Sequence, residues 1–365
     1  MIDEILAYLA RRVDSFLMGC IAFACMVGLF VLFSASGGSF ERVFSQFMNI
    51  VAALVIMWLA ANTSTHYLER IALPLYVFGL VLLIAVALFG EISHGARRWL
   101  NIGVGRIQPS ELMKIAVPMM VAWYFSKREE SLRWSDYLVG ALLVFVPVGL
   151  VMKQPDLGTA LLIVASGFYV LFLAGLSWKL LAGGAISFAV LAPVFWSLLH
   201  DYQRKRIEIL LDPSQDPLGA GYHTIQASIA LGSGGIAGKG WLNGTQSQLD
   251  FLPERTTDFI FAVFGEEFGL LGNILLLVLF GLLISRGLYI AAQAQNTFTR
   301  LLAGSITLTF FTYVFVNIGM VSGILPVVGV PLPFISYGGT SLVTVLLGFG
   351  ILMSIQTHKT LMSTS

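Results

Sequence analysis

Residues 251–273 read FLPERTTDFIFAVFGEEFGLLGN, a polar approach that turns at Asp258 into an apolar run from Phe259 to Phe264. Beyond Asp258 the run continues to Ser285 with only Glu266 and Glu267 charged. A stretch that long and that apolar reads as a membrane helix, for which about 20 residues suffice. A carboxylate at its mouth costs little while hydrated and a few kcal/mol once drawn inward, so it is a functional candidate by default. The plainer explanation is a helix cap, because Asp serves well as N-cap and favours the positive helix end. Capping alone, however, needs none of the charged residues that other segments bring to the same side.

The rest of the chain repeats the pattern. Hydrophobic residues make up 57% and charged residues 11%, against about 25% charged in a soluble domain. Ten spans are expected near residues 16–35, 44–62, 70–90, 110–126, 136–152, 157–175, 179–198, 258–285, 298–320 and 337–356. The fold class is therefore an all-α integral membrane bundle, polytopic, forming a single domain over residues 1–365. Glu111, Lys114, Lys153 and Asp156 sit in or beside spans four to six. The first fifteen residues hold Asp3, Glu4, Arg11 and Arg12 without an A-x-A cleavage site, so the first span is expected to be retained. Cys20 and Cys25 lie inside that span and read as apolar packing. The five histidines are scattered, which argues against zinc, and a net charge of +1 leaves no footprint for nucleic acid.

An even number of spans puts both termini on one side, expected to be the cytoplasm. The lysine and arginine balance between the sides is close, and discounting Arg204, Lys205, Arg206, Lys239 and Arg255 in the long loop recovers a modest inside bias. Arg97, Arg98 and Arg106 remain on the outer side, against that bias, and are expected to bind something anionic. They belong to EISHGARRWLNIGVGRIQP, residues 91–109, with Trp99 as its aromatic. The large extracytoplasmic loop, about residues 199–257 between spans seven and eight, far exceeds the roughly 15 residues at which loops become functional or disordered. Within it, residues 223–240 read HTIQASIALGSGGIAGKG, expected to form a short re-entrant or interfacial helix and a flexible hinge. A phosphate loop is excluded, since Lys239 is followed by Gly240 rather than Ser or Thr.

Glu111 and Lys114 share a helix face and read either as a self-neutralising buried pair or as part of a site. Lys153 and Asp156 occupy an outer turn, with Pro155 as a helix-entry device. If the spans enclose one cavity, Glu111, Lys114, Asp156 and Asp258 line its outward mouth, with Arg97 and Arg98 above. Glu266 and Glu267, two turns below Asp258, have three open readings: pairing with a backbone donor, staying protonated, or meeting a partner. Residues 326–341, PVVGVPLPFISYGGTS, cannot continue a membrane helix, and broken backbone at that depth is tolerated only inside protein or along a wet cavity. This segment is expected to dip inward beside Asp258, with Ser336 and Thr340 shaping a subsite and Gly338 and Gly339 permitting close approach. An ordinary outer loop is the alternative.

Residues 317–341, NIGMVSGILPVVGVPLPFISYGGTS, resemble the signature of the SEDS family of bacterial shape, elongation, division and sporulation proteins. Supporting matches are GARRWLNIG at 95–103, QPSELMKI at 108–115, QPDLGTALL at 154–162 and FLPERTTDFIF at 251–261. The wording of the last resembles the RodA-like elongation branch more than the FtsW-like division branch. The resemblance implies a peptidoglycan glycosyltransferase that polymerises lipid II at the outer face of the cytoplasmic (inner) membrane. It further implies a class B penicillin-binding protein as transpeptidase partner, other elongation-complex membrane proteins, and a divalent cation, Mg or Mn. Asp258 takes the position of the family's essential Asp, and Arg98, Trp99, Glu111, Lys114 and Asp156 fall on positions around its cavity.

The residues suit that chemistry. A lipid diphosphate leaves readily once cations stabilise it, so one carboxylate suffices where glycosidases use two. Asp258 is expected to act as general base on the acceptor hydroxyl or as a metal ligand, with Lys114 and Arg98 on the diphosphate. A lipid flippase or transporter is the main rival, and a noncatalytic scaffold the third possibility. Against transport, the ionisable cluster lies on one side instead of at the midplane, and no pair of matching broken helices is evident.

Overall fold

The chain is described here by a computed structural model covering residues 13–93, 96–101, 106–129, 132–199, 201–213, 216, 219–249, 251–252 and 254–357. In chain order, α1 is Ser15–Ala35, α2 Phe40–Asn62 and α3 Thr65–Phe89. A small antiparallel sheet follows, with β1 Glu91–Ser93, β2 Ala96–Asn101 and β3 Arg106–Ile107. Then come α4 Pro109–Ser126, α5 Trp134–Met152, α6 Leu157–Leu173 and α7 Trp178–Leu198. The long connection holds α8 Asp201–Leu211, α9 Ala220–Ser233 and α10 Thr245–Gln248, and the chain ends in α11 Ile260–Ala292, α12 Thr297–Val321 and α13 Thr340–Thr357. Ten of these helices fall on the ten expected spans. Seven are long and apolar enough to cross a membrane, and shorter apolar helices cover Leu157–Leu173 and Trp178–Val194.

Local chemistry sets where the helices begin. Asp14, Ser39, Ser64 and Asn296 each accept a backbone N–H from three residues on, and Pro109 opens α4 where its missing N–H is harmless. α12 is the axis of the bundle, buried over most of its length and packed against α4, α6, α11 and α13, while α13 lies along α2. α7 differs. It makes no extended contact with another helix among the described residues, and Val190 is 71% exposed.

Contacts define two ends. At one, the end of α11 meets the α1 start through Arg286–Asp14 at 2.5 Å, Lys127, the C-cap of α4, meets Glu69 of α3 at 2.8 Å, and Ser354 of α13 donates to the Thr63 carbonyl at 2.5 Å. The other end joins the α1–α2, α3–α4, α5–α6, α7–α11 and α12–α13 connections, and carries the candidate site.

The eighth expected span is corrected in one respect. α11 begins at Ile260 and breaks at Gly269, whose φ of 64° and ψ of −161° are open chiefly to glycine. Residues 270–292 would span roughly 35 Å alone at 1.5 Å per residue, so residues 260–268 form an arm beside α9. A broken helix frees backbone groups that need partners. Leu270 N and Leu271 N donate to the Gly235 and Ile236 carbonyls at 2.9 and 3.1 Å, and Lys239 N and Gly240 N donate to the Glu266 and Glu267 carbonyls, both at 3.0 Å. The expected flexible hinge is thus a backbone clasp around the break. Glu266 is resolved with it, its Oε1 accepting from Lys239 Nζ at 2.7 Å, Thr245 Oγ1 at 3.0 Å and Gln246 N at 3.0 Å. Glu267 accepts from the Ser34 hydroxyl.

Candidate functional site

Asp258 stands in a tight turn ahead of α11. Thr257 N and Phe259 N both donate to the Glu254 carbonyl, at 3.1 and 3.2 Å, and Thr257 Oγ1 donates to Glu254 Oε2 at 2.8 Å. The N-cap of α11 is Phe259, with no side-chain cap bond, so capping does not account for Asp258. Its carboxylate receives no hydrogen bond from the described residues. Burial raises Asp258 from the usual carboxylate range to about 6, Glu254 adds to the rise, and Arg206 opposes it.

The segment expected to dip inward is sewn to this turn. Tyr337 N donates to the Thr256 carbonyl at 2.8 Å, and Ser336 Oγ donates to the Thr257 carbonyl at 2.6 Å while accepting from Leu332 N at 2.8 Å. Asn317 Nδ2 donates to the carbonyls of both Asp258 and Val330, at 2.9 and 2.7 Å. Ser336 therefore acts as a buried staple between the two loops. The glycine that permits close approach is Gly329, at φ 74°, where a Cβ would lie 3.3 Å from Asp258 Oδ2. A Cβ on Gly338 would meet nothing within 4 Å, and one on Gly339 would lie 3.2 Å from Asn49 Oδ1. The same loop also meets α6, since a Cβ on Gly158 would come 2.7 Å from the Val328 carbonyl. The start of α6 and Asp258 thus flank the same strip of backbone.

Asp156 caps α6, accepting from Thr159 N at 3.1 Å, Thr159 Oγ1 at 3.0 Å and Gln108 Nε2 at 3.2 Å. Pro155 accordingly precedes the cap instead of opening the helix. Arg98 Nη2 donates to the Pro155 carbonyl at 2.7 Å, with its Nε 3.7 Å from Asp156 Oδ2. Trp99 is half-buried on β2, opposite Glu91. The side chains of Arg97 and Arg106 lie outside the described residues.

Lys114 is buried, donating to Glu111 Oε1 at 2.6 Å and Tyr313 Oη at 2.8 Å. Tyr313 and Asn317 are one turn apart on α12, so one helix face serves both Lys114 and the Asp258 turn. Glu111 and Thr340 line a cleft of about 460 Å³ whose walls are otherwise largely apolar, including Phe78, Leu82 and Leu347. The sequence reading missed three neighbours. Arg206, set aside as a loop charge, donates to the Val327 carbonyl at 2.6 Å. His223 stacks on Phe259 with centroids 5.7 Å apart, and burial lowers its imidazole while Glu254 and Asp216 oppose. Asn317 was visible only as a letter in the 317–341 motif.

Among the described residues no group of three or more His, Cys, Asp or Glu gathers to hold a metal. Glu254 and Asp258 supply two carboxylates on one turn. That suits a hard cation such as Mg, which keeps several waters and binds through one or two carboxylates plus substrate phosphates. The Asp258 carboxylate can accept a proton near neutral pH, and a largely apolar cleft lies at the same end of the bundle.

Comparisons with known proteins agree with one another. A family model described as a cell cycle protein, FtsW/RodA/SpoVE, matches residues 14–361. The peptidoglycan glycosyltransferase MrdB of Escherichia coli K12 is 55% identical over 339 residues, covering 92% of this chain and 91% of that one. A probable peptidoglycan glycosyltransferase FtsW of a Geobacter species is 34% identical, covering 95% and 98%. A solved structure from a peptidoglycan synthase complex that coordinates polymerization and crosslinking superposes with a TM-score of 0.83 at 33% identity, covering 95% and 98%. The rod shape determining protein RodA of Thermus thermophilus gives 0.71 at 29% identity, covering 94% and 96%.

Proposed function

Because the chain belongs to the FtsW/RodA/SpoVE family, we propose that the turn carrying Asp258 is the centre of its glycosyl transfer. The protein is a peptidoglycan glycosyltransferase. Its substrate is lipid II, extended into β-1,4 glycan strands for cell elongation and rod shape. Asp258 takes the proton from the acceptor 4-hydroxyl of N-acetylglucosamine as that oxygen attacks C1 of the donor's N-acetylmuramic acid. The C1–O bond to the lipid diphosphate breaks, the diphosphate carries away the electron pair, and the linkage inverts. The observation that carries this reading is the Asp258 carboxylate itself, raised to about 6 and without a hydrogen bond from the described residues.

As the alternative to its role as base, Asp258 would hold, together with Glu254, a divalent cation, Mg or Mn, that would neutralise charge on the diphosphate. The apolar walls of the cleft suit the polyprenyl tail, and Glu111 and Thr340 set its polar rim. Lys114, Arg98 and Asp156 act mainly by holding α4, β2 and α6 around the mouth, with Trp99 beside Arg98 on β2. The site end faces outward from the cytoplasmic (inner) membrane and both termini are cytoplasmic, supported by the ten spanning helices, which put the termini on one side, and by the modest lysine and arginine bias of that side. A class B penicillin-binding protein and other elongation-complex membrane proteins are its partners, supported by the likeness to the synthase complex.

The deciding experiment adds lipid II to the purified protein in detergent, with and without its transpeptidase partner. An enzyme lengthens glycan with no gradient present. A flippase changes only leaflet occupancy in vesicles and leaves detergent-solubilised lipid II unpolymerised, which would reject the reading.

A further inference from the structure

Asn317 lies one turn before the end of α12 and has no exposed surface. Its Nδ2 is shared between the Asp258 carbonyl at 2.9 Å and the Val330 carbonyl at 2.7 Å, while its Oδ1 is buried without a hydrogen-bond partner among the described residues. A position that needed only packing would be filled better by an apolar residue than by an amide with an unpaired oxygen. What the amide supplies is two donors, aimed at two different loops.

Those loops are the ones whose spacing matters. Ser336 and Tyr337 tie the dipping segment to Thr257 and Thr256, not to residue 258 itself. Asn317 is the side chain that grips the backbone of Asp258 and, in the same step, the residue after Gly329. At Gly329 the loop comes close to the carboxylate, since a Cβ there would lie 3.3 Å from Oδ2. With no hydrogen bond from the described residues to the carboxylate, its place depends on the backbone beneath it.

We propose that Asn317 is a positioning residue for glycosyl transfer, its carboxamide fixing the Asp258 backbone against the Gly329–Val330 strip so that the carboxylate is held at the reacting hydroxyl. The inference rests on the reading of Asp258 as the reacting group. It acts through geometry, where a misplacement of about 1 Å can cost roughly a hundredfold in rate.

The test uses the full chain with lipid II and measures kcat, KM, melting temperature and the folded fraction. Asn317→Leu and Asn317→Asp keep the branched heavy-atom shape but remove the paired donors, and Asn317→Gln keeps them on a longer stem. Per folded molecule, Leu and Asp are expected to lower kcat about 10- to 100-fold with KM within about threefold of the parent, and Gln to recover part of the loss. A parental kcat per folded molecule in Leu and Asp, or kcat and KM changing together, would overturn the proposal. Should neither variant fold, Gly329→Ala asks the same question from the loop side, and a parental kcat there would overturn it equally. Asp258→Asn is run in the same series. If it polymerises at the parental rate, the reading of Asp258 fails; if it is silent while Asn317→Leu and Asn317→Asp remain fully active, only the positioning role falls.

Discussion

Asp258 and the Glu111–Lys114 pair sit at the same end of the bundle and are reached along one face of α12, yet their chemistry differs. Lys114 is enclosed by Glu111 and Tyr313 at 2.6 and 2.8 Å, a closed set that needs no substrate to satisfy its charge. Asp258 has its backbone gripped by Asn317 and its carboxylate left without a described partner, displaced upward to about 6 by burial. The Asp156–Arg98 contact resembles the first case, because both groups brace the start of α6. A buried pair is poor evidence for catalysis, since breaking it is costly whatever its role. A half-buried carboxylate held ready but unpaired is better evidence.

Among the supporting residues the comparison breaks first, if it breaks, at Lys114. Lys114→Met strands Glu111, and losing one partner of a buried pair costs roughly 3–5 kcal/mol. Melting temperature and polymerisation should therefore fall together. Lost activity at a parental melting temperature would move Lys114 into the substrate site instead.

The second expectation sharpens the contrast through pH. Asp258 must be ionised to act, so the rate should fall as pH drops through about 6. The sign for stability is opposite. A carboxyl raised in the fold binds its proton more tightly than in the unfolded chain, so between about pH 4 and 6 stability declines as pH rises. Melting profiles of the parent and Asp258→Asn across that window should converge at low pH and separate above it, with the Asn variant the more stable.

The smallest effect belongs to Arg98. Its side chain is 32% exposed, and partly exposed ion pairs contribute about 0–1 kcal/mol. Arg98→Gln should keep its melting temperature within a few degrees and its rate within roughly fivefold, about 1 kcal/mol. A much larger loss confined to KM would mark Arg98 as a direct diphosphate ligand.

The bundle was legible because span length and apolarity are set by the membrane, and ten helices lie where runs of apolar residues put them. The inward course of residues 326–341 was legible for a related reason, since prolines and glycines at that depth must be enclosed by protein. The break at Gly269 was not, because GEEFGLLG is as apolar beyond the break as any continuous helix and its partners are backbone groups of residues 235–240. Pairing was equally hidden. Spacing along α4 put Glu111 beside Lys114, but Tyr313 comes from a helix 199 residues later. Asn317 and Arg206 act on carbonyls, which carry no identity in a sequence, so neither role could be read from it. Gly329 looked no more special than Gly338 until the loop was folded against Asp258.

The most direct test of Asp258 as the reacting group is polymerisation of lipid II by Asp258→Asn, purified beside the parent and matched for folded protein. The substitution keeps size, the backbone grip of Asn317 and the fold, and removes only the ionisable oxygen. The account predicts a glycan ladder from the parent and none from the variant, at a melting temperature no lower than the parent's. Ladders of equal length and intensity from both would contradict it.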